Sequence, residues 1–367
     1  MKGLYIHIPF CVKKCEYCDF ISFPGYRERF EEYVDTLLNE MKEYRGATLD
    51  TVFIGGGTPS VLPPFLIEEL CGAVKDNFNI TMDCEWTAEA NPGTLTGEKI
   101  QSMLDGGINR ISLGVQSFND RELRAAGRIH SAETAYNTVL KLSKAGFKNI
   151  SIDLMESLPY QTPESFKQSL ETAVSLPINH VSVYSLIIED GTPIKEKYDK
   201  GIYSMPDEDS DRAMYHYTKS FLAKHGFHRY EISNYAMEGY KSRHNLKYWS
   251  CDEYIGIGTA AASYLDGARY VNTCDLEEYM SGSYRNGNKD VLTREDMMGE
   301  FMMLGLRKTE GISAAEFAGR FGCTIESIYG SALEKFISLG AVESFGDYYR
   351  LTDGGLDVAN AVMCEFV

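Results

Sequence analysis

The stretch Ile8-Pro9-Phe10-Cys11-Val12-Lys13-Lys14-Cys15-Glu16-Tyr17-Cys18-Asp19-Phe20 decides how this chain is read. Its cysteines are spaced C-x3-C-x2-C, and the run just before them, Leu4-Tyr5-Ile6-His7-Ile8, reads as a strand. Thiolates packed this closely can hold an iron–sulfur cluster. A four-iron cluster needs one ligand per iron. Cys11, Cys15 and Cys18 would leave one iron open to bind and activate a small molecule. The plainer alternatives are a cysteine-rich turn, or a zinc site completed by His7. Structural zinc takes four closed ligands, and no fourth cysteine lies near in the sequence.

Outward from this loop, apolar runs alternate with helical patterns. Strands are expected at 3–8, 51–55, 84–89, 110–115, 149–154 and 180–185, with amphipathic stretches near 26–45, 63–78, 96–106, 132–145 and 163–175. Strand-then-helix units at this spacing predict a parallel sheet with crossover helices. Ligands of such sheets bind at the C-terminal strand ends. After Met205-Pro206 the alternation stops. A helical stretch over 207–225 leads into a Gly- and aromatic-rich segment that runs to about 285. From 291 short helices precede Ala341-Val342-Glu343 and Tyr348-Tyr349-Arg350-Leu351, a hairpin in a winged-helix-like arrangement.

Polar and glycine residues fall where the strands end. Gly55-Gly56-Gly57-Thr58-Pro59-Ser60 follows the second strand, and glycines let a backbone approach a ligand closely. Glu89 ends the third and could accept hydrogen bonds from an ammonium or a ribose. Gln116 ends the fourth. Arg128, twelve residues on, could pair with a carboxylate. Asp153 ends the fifth and could hold ribose hydroxyls. Singly, each has an ordinary reading as a turn or surface residue. As an ordered set over one barrel mouth they point to one ligand.

These motifs resemble the radical SAM (S-adenosylmethionine) superfamily, whose open iron chelates the methionine end of SAM. The resemblance implies a partial (β/α)6 barrel, a [4Fe-4S] cluster on Cys11, Cys15 and Cys18, and SAM against Gly56, Gly57, Thr58, Glu89, Gln116, Arg128 and Asp153. Tyr5 and Tyr17 flank the cluster in this reading. Within the superfamily, Tyr5 to Cys11, Gly55 to Ser60 and Leu113-Gly114-Val115-Gln116-Ser117-Phe118 look like the branch of oxygen-independent coproporphyrinogen III oxidase. Two features then favour a relative of that enzyme. The oxidase carries a further cysteine where this chain has Phe20, and a segment before its first strand. Arg243-His244-Asn245-Leu246-Lys247-Tyr248-Trp249 matches an H-N-x-x-Y-W motif of the HemW-type heme chaperones. An imidazole can ligate heme iron, and Tyr248 and Trp249 offer faces for stacking on a macrocycle. His244, Asn245, Tyr248 and Trp249 are therefore candidate heme residues. The competing reading makes them a buried hydrogen-bonded corner and core. One departure stands out: the family's Gly-Leu-Pro-Gly after the fifth strand is here Ser157-Leu158-Pro159-Tyr160, and Tyr160 would narrow any space there.

The fold expected is α/β, a partial TIM-like radical SAM barrel with a smaller α+β, winged-helix-like C-terminal domain. Its divisions are 1–205 for the barrel with the cluster and SAM site, 206–290 for a family-specific segment, and 291–367 for the C-terminal domain. The chain has 367 residues and a net charge of −17, which disfavours nucleic acid as a partner. No apolar run reaches the ~20 residues that span a bilayer, and the start reads as a strand with no signal peptide. Nine cysteines, three of them clustered, do not form a disulfide framework and predict the reducing cytoplasm. Cys71, Cys84, Cys251, Cys274, Cys323 and Cys364 are expected as buried apolar side chains. The resemblance implies a heme chaperone with heme as cargo, apo-hemoproteins such as respiratory enzymes as partners, and an electron donor if SAM is cleaved. The alternatives are coproporphyrinogen III oxidation and another radical SAM reaction on a tetrapyrrole.

Overall fold

The computed structural model describes residues 1–367, without the side chains of 286–288. The first strand, β1 (Lys2–Ile8), runs into the cysteine loop, which is closed by a two-residue ladder between β2 (Phe10–Cys11) and β3 (Phe23–Pro24). Five further strands follow in parallel: β4 (Thr48–Gly56), β5 (Asn79–Ala90), β6 (Arg110–Gln116), β7 (Asn149–Glu156) and β8 (His180–Ser185). Helices α1 (Phe30–Met41), α2 (Pro64–Asn77), α3 (Gly97–Gly106), α4 (Asp120–Ala125), α5 (Ala132–Ala145) and α6 (Pro163–Val174) connect them.

The strands alternate strictly, and the alternation separates two environments. Leu4, Ile6 and Ile8 of β1, Ile111, Leu113 and Val115 of β6, and Ile150, Ile152 and Leu154 of β7 belong to one apolar core together with α1 residues Tyr33, Val34 and Leu37. Fully burying each Leu or Ile side chain contributes about 2 kcal/mol. The residues between them are polar and also buried: His7, Thr51, Glu85, Thr87, Arg110, Ser112, Ser151, His180 and Ser182. Helix ends are set by local chemistry. Ser131 caps the start of α5 by accepting from Thr134 N–H, and Gly146 ends it at φ +119°. Thr162 and Ser165 form a reciprocal capping box on α6.

The segment after β8 does not stand apart from this sheet. Helices α7 (Pro193–Asp199) and α8 (Glu208–Lys224) precede β9 (His228–Arg229) and β10 (Asn234–Ala236), and β10 pairs antiparallel with β8. Helix α9 (Arg243–Trp249) leads into β11 (Tyr254–Ile257), which joins β1 in parallel from the other edge. Strands β12 (Ala262–Leu265), β13 (Ala268–Asn272) and β14 (Arg285–Val291) extend that edge antiparallel, with α10 (Leu276–Met280) between the last two. One sheet thus runs β14-β13-β12-β11-β1-β4-β5-β6-β7-β8-β10-β9. The C-terminal part has a core of its own around Phe301, Met302, Phe317, Leu333 and Val362. There α11 (Arg294–Gly305), α12 (Ala314–Phe321) and α13 (Ile325–Ser338) carry a three-stranded sheet of β15 (Ile312–Ser313), β17 (Tyr348–Leu351) and β16 (Val342–Phe345).

Of the six scattered cysteines, Cys71 and Cys84 are buried as expected. Cys274 and Cys364 are exposed, and Cys251 and Cys323 are half-buried. Among the described residues no helix is long and apolar enough to cross a membrane.

Candidate functional site at the barrel mouth

The cysteine loop leaves β1 at the mouth and is braced from two sides. Glu16 N–H donates to Ala126 O at 3.1 Å, and its carboxylate pairs with Lys197 Nζ of α7 at 2.8 Å. All three thiols are unbridged and half-buried. Thr58 Oγ1 lies 3.5 Å from Cys11 Sγ, and Arg128 Nη1 donates to Cys15 Sγ at 3.2 Å. A Cβ added to Gly57 would stand 2.7 Å from Phe10 O and 3.1 Å from Cys11 Sγ, so only glycine fits at that edge. Gly56 sits at φ +109° with His7 against it. Tyr17 packs beside Ala126, Met155 and Leu158. Among the described residues no three His, Cys, Asp or Glu side chains converge as the ligands of one ion would. The donor set suits a cluster: three free thiols in one loop, a glycine edge with no room for a side chain, and a buried guanidinium whose Nε is without a partner among the described residues.

Below the mouth the barrel interior is polar. Glu89 accepts a hydrogen bond from Gly56 N–H at 3.1 Å, and Asp153 accepts one from Ser112 Oγ at 3.2 Å. Burial first, and then the Asp153 charge, push the Glu89 carboxyl up to about 8, against the opposing pull of Gly56 N–H and Arg110. Burial likewise raises Asp153. Gln116 and Arg128 meet over Gly114, where an added Cβ would stand 3.1 and 3.2 Å from them; Gln116 holds φ +69°. Tyr5 lies deeper than the sequence suggests. Its hydroxyl bonds His7 Nδ1 at 2.9 Å and it lines a cavity of about 210 Å³ with Phe53, Glu89, Arg110, Asp153 and Tyr248.

The H-N-x-x-Y-W helix lies at the opposite end. His244 packs beside Gly3 and Thr51, at the N-terminal ends of β1 and β4, so α9 plugs the barrel floor. The Glu85 carboxylate receives the N–H groups of Arg243 and His244, both at 3.0 Å, and Ser242 caps the same end. Both His244 ring nitrogens are engaged, Nδ1 with Thr51 Oγ1 and Nε2 with Tyr248 Oη, each at 2.9 Å, and the residue is 1% exposed. Burial pushes its pKa down to about 3. With both ring nitrogens engaged, His244 has the geometry of the competing reading, a buried hydrogen-bonded corner. His244, Asn245 and Tyr248 all line the interior cavity. Trp249 points the other way, with the Arg307 guanidinium 4.3 Å from its ring centroid.

The Ser157-Leu158-Pro159-Tyr160 departure has a clear backbone signature. Ser157 and Tyr160 hold φ +61° and +66°, the left-handed region that glycine occupies most easily. Tyr160 is held by Arg121, 4.1 Å over its ring, and by the edge of Tyr203. Ser157 Oγ donates to the Asp211 carboxylate.

Sequence reading missed Arg110, Ser112, Ser182 and Tyr184, which also line the interior cavity. The signal was the strand alternation itself: Arg110, Ser112, Gly114 and Gln116 occupy every second position of β6.

Residues 5–173 match the family model "Radical SAM superfamily" and residues 292–358 match "HemN C-terminal domain". The chain is 38% identical to the protein named heme chaperone HemW of Lactococcus lactis, covering 99% of this chain and 96% of that one. It is 36% identical to the HemW of Bacillus subtilis over 100% and 99%, and 35% identical to that of Escherichia coli over 100% and 98%. The fold resembles that of Escherichia coli coproporphyrinogen III oxidase HemN, a radical SAM enzyme, with TM-score 0.84 and 22% identity over 99% of this chain and 89% of that one. A radical SAM domain implies SAM and a four-iron cluster, for which the mouth has a suitable donor set. With full-length identity well above 30% to several members, this chain belongs to the HemW family of the radical SAM superfamily.

Proposed function

We propose that the protein is a cytoplasmic heme chaperone, which binds heme and hands it to apo-hemoproteins, respiratory enzymes among them. The observation that carries this reading is similarity along the whole chain, barrel and C-terminal part alike, to proteins named heme chaperone. In this reading Cys11, Cys15 and Cys18 hold three irons of the cluster. Gly56, Gly57 and Thr58 receive the methionine end of SAM, and Glu89, Gln116, Arg128 and Asp153 line its remaining contacts. When bound, the cluster and SAM together supply one-electron chemistry, for which a donor protein would be needed. The chain's own part is to orient and to exclude water: Arg128 places positive charge beside Cys15, and Glu89 presents a carboxyl that a bound ammonium would return to its charged form.

Phe20 supports the chaperone over the oxidase. It is 66% exposed beside the cysteine loop, at the position where the oxidase pattern carries a cysteine. The deciding assay is anaerobic. Reconstituted protein, SAM, a reductant and coproporphyrinogen III are followed by mass spectrometry, and heme-loaded protein is mixed with an apo-cytochrome. Unchanged coproporphyrinogen III with heme transfer is expected. Loss of two CO2 from the substrate without heme transfer would make the protein an oxidase.

A further inference from the structure

Three cavities can be compared by the charges that line them. The interior one, about 210 Å³, sets the carboxyls of Glu89 and Asp153 against the single guanidinium of Arg110. A second, about 450 Å³, lies beside the cysteine loop against Tyr5, His7, Phe20, Tyr248 and Tyr254, and its charged residue is Asp19. The third, about 340 Å³, lies between β12 and the C-terminal part and is lined by Cys251, Tyr264, Arg294, Met297, Arg320 and Phe321. Two guanidiniums and no carboxylate line it, in a chain of net charge −17. Its wall also carries two sulfur side chains and two aromatic rings.

The two arginines differ in what holds them. Arg294, in the first turn of α11, bonds the Phe321 carbonyl and Cys323 Sγ; it has no carboxylate partner among the described residues. Arg320 divides its charge between Glu316 at 2.7 Å and Asp252 at 3.2 Å on the rim. Cys251 follows the floor helix by two residues and is fixed at φ +51°, with its N–H on Tyr248 O. A ligand suited to this cleft has a flat apolar body, two carboxylates and an affinity for sulfur.

We propose that this cleft holds the cargo: an iron tetrapyrrole lying against Tyr264 and Phe321, its two carboxylates on Arg294 and Arg320, with Cys251 Sγ bound to the iron. The proposal rests on the heme-chaperone reading and gives that reading a site away from both barrel ends. Cysteine thiolate is an established heme ligand, and guanidinium forks match carboxylates. On binding, an Fe–S bond forms and the thiol proton leaves to solvent, with no change in iron oxidation state. At about 340 Å³ the cleft is at the small end of ligand pockets, which run from roughly 300 to 1,000 Å³.

The test is hemin titration of full-length reconstituted protein, wild type beside Cys251→Ser and Arg294→Glu. Circular dichroism and cluster absorbance report whether each variant is folded. The wild type is expected to show the ferrous–CO spectrum of a thiolate-bound heme. Cys251→Ser should lose that spectrum, and Arg294→Glu should weaken binding roughly tenfold. Wild-type spectrum and affinity in both folded variants would overturn this site and leave the chaperone reading standing. So would a wild-type complex without thiolate character. Hemin that fails to bind the wild type would overturn both.

Discussion

The two ends of the barrel are built from the same strands and differ in how completely their polar groups are satisfied. At the floor, Glu85 caps α9 and both nitrogens of His244 are bonded, and Trp249 Nε1 alone of the motif's side chains is buried without a partner among the described residues. At the mouth, three thiols stand unbridged, the Arg128 Nε has no partner among the described residues, and Glu89 sits at about 8. A buried polar group that is fully paired contributes to stability. One left unpaired costs free energy until a ligand meets it. This contrast supports reading the floor as structure and the mouth as the place where a ligand is met, and it is open to test because each carries a family motif.

Four substitutions would break or sharpen that contrast. The largest effect is expected at the mouth, where Cys15→Ala should abolish the cluster absorbance of reconstituted protein while the apo-protein keeps its denaturation midpoint. A parallel loss of stability would mean that the loop is structural. At the floor the pattern should invert. His244→Ala should cost about 3 kcal/mol in urea unfolding, from the lost packing and the stranded Thr51 and Tyr248 hydroxyls, with the cluster still formed.

Glu89→Gln tests the mouth by pH. Burial raises Glu89 in the folded state, so between its unfolded value near 4.5 and its folded value near 8 the native protein holds a proton that the unfolded chain has lost. Native stability therefore falls across this window as pH rises. The Gln variant should lack that fall and gain up to roughly 4 kcal/mol on the wild type at pH 8, with no gain below pH 4. A pH-independent difference would show that Glu89 is already charged in the empty protein. Smallest of all, Tyr160→Gly should change stability by less than about 1 kcal/mol, because relief of the left-handed backbone offsets the lost contact with Arg121. A loss of several kcal/mol would mean that the Arg121–Tyr160–Tyr203 stack holds the loop.

Much of this was legible in the chain. The parallel strands announce themselves because each alternates with a helix at regular spacing, and the cysteine loop because its three donors are neighbours in sequence. The Ser157 and Tyr160 departure was visible too, but read only as a narrowing of space; the left-handed backbone at both residues came from the structure. The floor was not legible. His244 takes its meaning from Thr51 and Glu85, which are 193 and 159 residues away, and periodicity carries no information at that range. The same holds for the C-terminal cleft, where Tyr264, Arg294 and Arg320 come from three separate elements and Cys251 from the turn after α9. The motif itself allowed two readings, a heme site or a buried hydrogen-bonded corner, and only the distant partners Thr51 and Glu85 give weight to the second.

The most direct measurement is a hemin titration of reconstituted wild type beside His244→Gln, read in the Soret band, with urea unfolding of both. Equal heme affinity with a less stable variant is the result predicted for a structural floor. Wild-type stability with heme binding lost would contradict it and return the H-N-x-x-Y-W helix to the cargo site.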